Sequence, residues 1–213
     1  MLEKLPEKLL EINETFRLHH LFRGYANPKA KVRTLVRNGT LIGLKRGLYI
    51  RADCLYNPRW RACSANRLYG PSYISFQYAL RWWGLIPEYV QHITSATFRR
   101  NRSKTFETPA GTFFYRDIPQ QVYPVSVIIE NSEQPRFFIA SAEKALCDLL
   151  YTTSGVRSIR GIEELLFEDL RLDYEGFNKL HAGTLYALST LYRTETLHTL
   201  SDYVKRRFSD EVN

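Results

Sequence analysis

Basic side chains recur at helical spacing within residues 27–51, NPKAKVRTLVRNGTLIGLKRGLYIR. Lys29, Arg33 and Arg37 are four residues apart, so on a helix they share one face, and Thr34 lies beside them. A row of cations can neutralise the phosphates of nucleic acid, and arginine and threonine can also hydrogen-bond to base edges. The spacing therefore predicts a surface with the chemistry of DNA binding.

The elements that would present these side chains are encoded in the same residues. Asn27 can cap a helix whose first residue is Pro28, and the helical pattern stops at Asn38. Two short apolar runs follow, at residues 41–44 and 48–50, with a basic connection between them. This order predicts a helix followed by a tight hairpin that carries cations at its tip.

The predicted helix also has an apolar stripe, formed by Val32, Leu35 and Val36, which would pack while the basic face stays free. A supporting helix is predicted just before it, over residues 16–23. Two helices followed by a basic hairpin are typical of a winged helix-turn-helix, whose second helix enters the DNA major groove. The alternative is an ordinary amphipathic helix with a solvated basic face.

The predicted DNA contacts fall into two groups. Thr34 and either Arg33 or Lys29 would face base edges. Phosphates would be held by residues of the helix and of the hairpin tip, including Lys31 and Arg46. The complete predicted set is Lys29, Lys31, Arg33, Thr34, Arg37, Lys45 and Arg46.

The distribution of charge favours the DNA-binding interpretation. The 213-residue chain has a net charge of +8, and residues 1–61 alone hold 13 Lys and Arg against 5 Asp and Glu. Residues 62–213 hold 17 charges of each sign and are neutral. A merely solvated surface has no reason to segregate its cations, so the excess indicates an anionic partner for the N-terminal segment.

The chain is predicted to be α+β, with two domains. Residues 1–61 would form the winged helix-turn-helix, including a first short helix over residues 5–13. Residues 62–213 would form a larger domain. There, alternation from Ile93 onward predicts a mostly antiparallel sheet of four to five strands, and Ser141 caps the first of a set of C-terminal helices.

The cysteine and hydropathy patterns indicate the cellular compartment of the protein. Cys54, Cys63 and Cys147 have no pairwise spacing of two to four residues, so neither a zinc ribbon nor a disulfide framework is indicated. No apolar run approaches the roughly 18 residues that a membrane span needs. We therefore expect a cytoplasmic protein with no membrane segment.

Asp117, Glu130, Glu143 and Lys144 come nearest to a catalytic constellation. Acids on strands followed by an acid–lysine pair are typical of metal-dependent nucleases. Glu143 and Lys144 are adjacent on a predicted helix, however, which is the wrong spacing for that use, and the chain has no glycine-rich phosphate loop, HExxH or GxSxG motif. We expect no catalysis, no metal and no cofactor; a metal-dependent nuclease is the less favoured alternative.

A second group of cations, Arg99, Arg100, Arg102 and Lys104, forms a turn before a predicted strand. The turn is either a solvated loop tip or an auxiliary contact to the nucleic-acid backbone. The first interpretation is preferred, because the surrounding region is close to neutral.

Four separated segments carry a family resemblance. They are LIGLKRGLYI at residues 41–50, PSYISFQYALRWWGLIPE at 71–88, ITSATFRRNRSKTFETPAGTFFYRDI at 93–118 and IASAEKALCDLLY at 139–151. In this order they resemble the AbiEi-type antitoxins of type IV toxin-antitoxin systems, bacterial proteins with an N-terminal winged helix and a larger C-terminal domain.

The resemblance implies a DNA-binding antitoxin and autorepressor that recognises inverted repeats upstream of its operon, as a dimer or as monomers binding cooperatively. It also implies a functional partner, a nucleotidyltransferase-like toxin, which the C-terminal domain would counter without a stable complex. The DNA role falls on the helix and hairpin positions named above. A stand-alone regulator on the same scaffold, or a module that binds RNA or a toxin, stays an open alternative.

Overall fold

The computed structural model describes residues 9–88 and 90–209, and it confirms the α+β class. The α-helices are α1 Thr15–Leu21, α2 Pro28–Arg37, α3 Pro58–Leu68, α4 Phe76–Trp82, α5 Ala142–Tyr151, α6 Ile159–Glu163, α7 Tyr174–Asn178, α8 Ala182–Leu191 and α9 Glu195–Arg207. The strands are β1 Ile12–Glu14, β2 Leu41–Lys45, β3 Leu48–Arg51, β4 Tyr73–Ile74, β5 Ile93–Thr97, β6 Lys104–Thr108, β7 Gly111–Asp117, β8 Val127–Glu130 and β9 Phe137–Ala140.

The N-terminal strands form a three-stranded antiparallel sheet in the order β1-β3-β2. Residues 1–8 lie outside the described residues, so only part of the predicted helix over residues 5–13 can be compared. In that part the prediction is wrong, because Ile12 and Asn13 belong to β1. Leu9 and Ile12 are both buried, but in different cores, so their three-residue spacing is not a helical stripe.

Two buried cores meet at this small sheet. A small core joins α1, α2 and β2, and its members are Leu9, Leu18, Phe22, Val32, Leu35 and Leu41. Leu44, Leu48 and Ile50 belong instead to the core of the larger sheet. The predicted domain boundary between residues 61 and 62 falls within α3, so the two predicted domains share a helix as well as a core.

The second sheet, in the described part of the chain, has six strands in the order β6-β7-β5-β4-β9-β8. Three neighbouring pairs are antiparallel, whereas β5 with β7 and β4 with β9 are parallel. The predicted mostly antiparallel sheet of four to five strands is therefore corrected to a mixed sheet. β4 has only two residues and gives no periodic signal, and β7 lies between β5 and β6, which short connections alone do not reveal.

Helices α5 to α9 follow the sheet, as predicted. Ser141 caps α5, because its hydroxyl accepts the backbone N–H of Lys144 at 3.2 Å. Helix α6 ends at Glu163, and the chain continues from it as a π-helix at Glu164–Asp169. No helix in the described part of the chain is both long enough and apolar enough to cross a bilayer.

Candidate nucleic-acid interface

Helix α2 has one buried face and one basic face. Val32 and Leu35 lie in the small core, with 6% and 4% of their surface exposed. Asn27 caps the helix, because its side-chain oxygen accepts the N–H of Ala30 at 3.0 Å, and Pro28 occupies the first turn, where no backbone donor is needed. The cap and the packing together fix which way the opposite face points.

The basic face of α2 has no acidic partner among the described residues. Lys29, Arg33 and Arg37 are all exposed. With a rise of 1.5 Å per residue, the row extends about 12 Å along the helix. No described carboxylate lies within ion-pair distance of these three side chains. They can therefore meet an external anion without first breaking an ion pair to a described residue.

Thr34 and Lys31, also on α2, have local contacts. Thr34 is half-buried, and its hydroxyl donates to the carbonyl of Ala30 at 3.1 Å. In this state the hydroxyl can accept a hydrogen bond from a base but cannot donate one. The ammonium of Lys31 lies 5.3 Å from the centroid of the Tyr25 ring, a cation–π distance.

The hairpin tip places its two cations differently. The ammonium of Lys45 donates to the carbonyls of Arg67, at 3.4 Å, and of Leu68, at the end of α3. Carbonyls at a helix C-terminus lack intrahelical partners and attract cations. Arg46 is exposed and forms no ion pair with a described residue. Of the two predicted hairpin contacts, Arg46 is thus the more available to a phosphate.

The second group of cations is also divided. The guanidinium of Arg100 donates to the carbonyl of Gly70. The ammonium of Lys104 lies 5.5 Å from the centroid of a phenylalanine ring. Arg99 and Arg102 are exposed. Only the last two are therefore well placed for the auxiliary contact, which the sequence favours less than a solvated loop tip.

Asp117 shapes the turn that carries these cations. One carboxylate oxygen accepts the N–H groups of Arg100 and Asn101 at 2.5 and 2.6 Å, and the other accepts the Thr97 hydroxyl at 2.6 Å. These bonds hold the backbone where Arg99 and Asn101 adopt positive φ angles of 55° and 57°. The carboxylate that a nuclease would use for a metal is occupied by this turn.

The two glutamates of the nuclease alternative are each bound to a partner other than Asp117. Glu130 pairs with Arg59 at 3.1 Å, whereas Glu143 accepts the N–H of His181 at 3.0 Å. Among the described residues, no group of three or more His, Cys, Asp or Glu side chains is arranged to hold a metal ion. The structure therefore does not bring the nuclease set together.

Lys144 belongs to a buried network that joins β4, α5 and the end of α8. Asp148, which is fully buried, accepts hydrogen bonds from Lys144 at 2.8 Å, from Ser75 at 2.6 Å, from Tyr73 at 3.0 Å and from Tyr192. Each carboxylate oxygen has two donors. All five side chains are at most 1% exposed. The network therefore leaves no carboxylate oxygen unpaired in the core.

Burial sets the protonation of this network. Desolvation raises the pKa of Tyr73 and Tyr192, so both hydroxyls keep the protons that they donate. Desolvation also lowers the pKa of Lys144, and the charge of Asp148 opposes that shift. Since solvent does not reach these groups, their role is structural. Sequence reasoning selected Lys144 but missed Asp148, although their i, i+4 spacing within a buried stripe was the available signal.

Comparisons with models of known protein families and with curated proteins find no match for this chain. The functional conclusion therefore depends on the sequence and the geometry described above.

Proposed function

We propose that this chain is a sequence-specific DNA-binding repressor whose N-terminal elements form a winged helix-turn-helix. Helix α1 is the supporting helix, α2 is the recognition helix in the major groove, and the β2–β3 hairpin is the wing. The order of elements supports this proposal, since a strand, two helices and a hairpin follow one another and the first strand pairs with the last.

The observation that carries the proposal is the exposed row of Lys29, Arg33 and Arg37 on α2. The row lies opposite the face that packs in the small core, and the described residues offer it no acidic partner. An exposed arginine can read a guanine edge with two hydrogen bonds, and a cation can replace a counterion at a phosphate. Arg46 on the hairpin supplies a further phosphate contact.

We further propose that the repressor acts on its own operon as the antitoxin of a type IV toxin-antitoxin pair. This part depends on the resemblance of the four segments at residues 41–50, 71–88, 93–118 and 139–151. The repressor would bind inverted repeats, as a dimer or as cooperating monomers, in the cytoplasm. Its partner would be a nucleotidyltransferase-like toxin, and no catalysis by this chain is required.

A gel-shift titration on the DNA upstream of the gene tests the DNA-binding part. The variant Arg33→Ala/Arg37→Ala/Arg46→Ala removes cations from the helix and hairpin, and we expect roughly a tenfold or larger loss of affinity, since a base-reading arginine alone is worth about 1–3 kcal/mol. The slope of log K against log salt should fall by roughly 0.9 for each phosphate-binding cation removed.

A charge-matched control separates local contacts from net charge. Arg160→Ala/Arg193→Ala/Arg206→Ala removes three exposed cations from the C-terminal helices and their connections, and it should leave DNA affinity within about twofold. Equal losses in both triple variants, or unchanged binding by the first, would overturn the assignment of α2 and the hairpin as the reader.

Growth assays test the antitoxin part separately. A nucleotidyltransferase gene adjacent to this one should arrest growth when expressed alone, and co-expression of this chain should restore growth. Because the C-terminal domain would supply protection, the α2 and hairpin variant should still protect. A toxin that this chain fails to neutralise would leave a DNA-binding regulator without an antitoxin role.

A further inference from the structure

A cavity of about 670 Å³ has a lining that shares no residue with the proposed DNA contacts on α2 and the hairpin. One wall is α3, which contributes Asn66 and Arg67, and the other is the β8–β9 edge of the large sheet, which contributes Ile129 and Phe138. Its volume is within the roughly 300–1,000 Å³ that is usual for small-molecule sites. The cavity is therefore large enough for an organic ligand.

The wall at the sheet edge is apolar and open to solvent. Ile129 and Phe138 face each other across β8 and β9, and they are 54% and 50% exposed. Two large apolar side chains exposed side by side form a patch that a bound molecule can cover. A single exposed apolar side chain is common on protein surfaces and does not by itself indicate a binding site. This wall would pack against the apolar body of a ligand.

The polar groups of the cavity select an anion. Arg67 and Arg136 both line it, both are exposed, and neither forms an ion pair with a described residue. None of the described lining residues is acidic. A guanidinium binds carboxylate and phosphate with paired hydrogen bonds, so the site complements either group.

Ser72 supplies an independent sign of a missing partner. It lines the same cavity, it is 6% exposed, and its hydroxyl oxygen is buried without a hydrogen-bond partner in the described structure. Buried hydroxyls are nearly always hydrogen-bonded, because an unpaired one gives up its hydrogen bonds to water and gains nothing in return. A rotation of the Ser72 side chain toward the cavity would bring this hydroxyl to a ligand oxygen and satisfy it.

We propose that this cavity binds a small organic anion, whose carboxylate or phosphate pairs with Arg67 and Arg136 and whose apolar body lies against Ile129 and Phe138. Ser72 donates a hydrogen bond to the same ligand. The inference is independent of DNA binding and goes beyond it, since the site belongs to the neutral part of the chain.

Two dyes of similar shape and different charge test the site. We would titrate the full chain with anionic 8-anilinonaphthalene-1-sulfonate and with neutral N-phenyl-1-naphthylamine, and follow dye fluorescence. Arg67→Gln/Arg136→Gln should weaken the anionic dye at least tenfold and the neutral dye less than twofold. The control Arg193→Gln/Arg206→Gln removes the same charge from exposed positions outside the cavity and should change neither affinity more than twofold.

Three results would overturn the proposal: equal weakening of both dyes, equal weakening by the control, or no weakening of the anionic dye. Ser72→Ala should weaken the anionic dye about two- to tenfold, the range for one hydrogen bond, without lowering the unfolding midpoint of the free protein. A lower midpoint with unchanged dye affinity would give Ser72 a purely structural role and contradict its assignment.

Displacement of the anionic dye identifies the headgroup. Decanoate presents a carboxylate on an apolar chain, and adenosine 5′-monophosphate presents a phosphate on an aromatic body. If one of the two compounds displaces the dye from the wild-type protein and no longer binds Arg67→Gln/Arg136→Gln, that compound identifies the class of ligand. Displacement by neither at millimolar concentration would contradict a site for these two kinds of anion.

Discussion

Charged side chains with the same helical spacing have opposite surroundings in two regions of this molecule. On α2, Arg33 and Arg37 are four residues apart in water, without a described acidic partner. On α5, Lys144 and Asp148 are also four residues apart, but both are fully buried and bonded to each other at 2.8 Å. Helical spacing thus identifies neighbours, whereas the packing of other elements decides whether a charge is available to a partner or enclosed.

The difference has an energetic basis. A charge in water keeps its hydration, so an exposed cation costs the fold little and can exchange water for a phosphate. A buried charge loses that hydration and is tolerated only when every partner is present. The molecule therefore provides a series of charged pairs, from fully buried to largely exposed, along which the loss of stability on removing a charge should decrease.

The largest effect is expected at Asp148. Asp148→Ala removes the acceptor of four hydrogen bonds and leaves the Lys144 ammonium unpaired in the core. We expect the free energy of unfolding to fall by about 3–5 kcal/mol, as for other buried pairs that lose one partner. Urea denaturation followed by circular dichroism measures this change.

The double variant Lys144→Met/Asp148→Leu is the control for Asp148→Ala, because it removes both charges while keeping apolar volume. It should recover part of the lost stability. If the double variant is less stable than Asp148→Ala, the unpaired cation is not the source of the loss, and the contrast with α2 fails.

A smaller, pH-dependent effect is expected at Glu130. Its side chain is 12% exposed, and hydrogen bonds from Ser132, together with Arg59, lower its pKa below the usual 4.5. A lowered pKa in the folded state adds stability at pH values above 4.5, and the gain is lost as pH falls through the folded pKa. Glu130→Gln should therefore cost about 1–2 kcal/mol at pH 7, and less as the pH falls below 4.5 and through the lowered pKa of the folded state.

Thermal unfolding of both proteins from neutral to acidic pH checks the prediction for Glu130. The stability difference between wild type and Glu130→Gln should narrow as the pH falls. A difference that stays constant over this range would show that the glutamate contributes through packing and not through its charge.

A smaller effect still is expected at Arg160 and Glu164. This pair has the same i, i+4 spacing as Lys144 and Asp148 and a similar distance, 2.8 Å, but its side chains are 89% and 56% exposed. Glu164→Ala should change the free energy of unfolding by no more than about 0.5 kcal/mol, measured in the same urea titration as Asp148→Ala. A loss near that of Asp148→Ala would mean that burial does not separate the two pairs.

The smallest effect on stability is expected on α2 itself. Arg33→Ala/Arg37→Ala should leave the free energy of unfolding unchanged to within about 0.5 kcal/mol, because both side chains are exposed and alanine is a good helix former. DNA affinity should fall in the same protein. A large loss of stability would instead indicate that the basic face serves the fold.

Local signals in the sequence predicted much of this structure. Asn27 and Ser141 both cap the helices that the sequence places after them, and the hairpin after α2 forms as expected. These predictions succeed because caps, turns and periodicity act over a few neighbouring residues. The α+β class follows from the same signals.

Partners that are distant in the chain were not predictable in this way. Lys45 was assigned to a phosphate, yet its ammonium binds carbonyls 22 and 23 residues further on. Asp148 meets Tyr73 and Tyr192 from two other elements, and β4 is too short to show a period. Pairings of this kind depend on how the elements pack, which no local pattern in one sequence specifies.

The contact between Lys45 and the end of α3 connects the hairpin directly to the wall of the cavity. Arg67 supplies a carbonyl that Lys45 binds and a guanidinium that lines the cavity. Thermodynamic linkage makes coupling between two sites reciprocal. If both proposed sites are occupied and the cavity ligand changes the affinity for DNA by some factor, DNA must change the affinity for that ligand by the same factor. A single coupling constant, measured from either site, would then describe both effects.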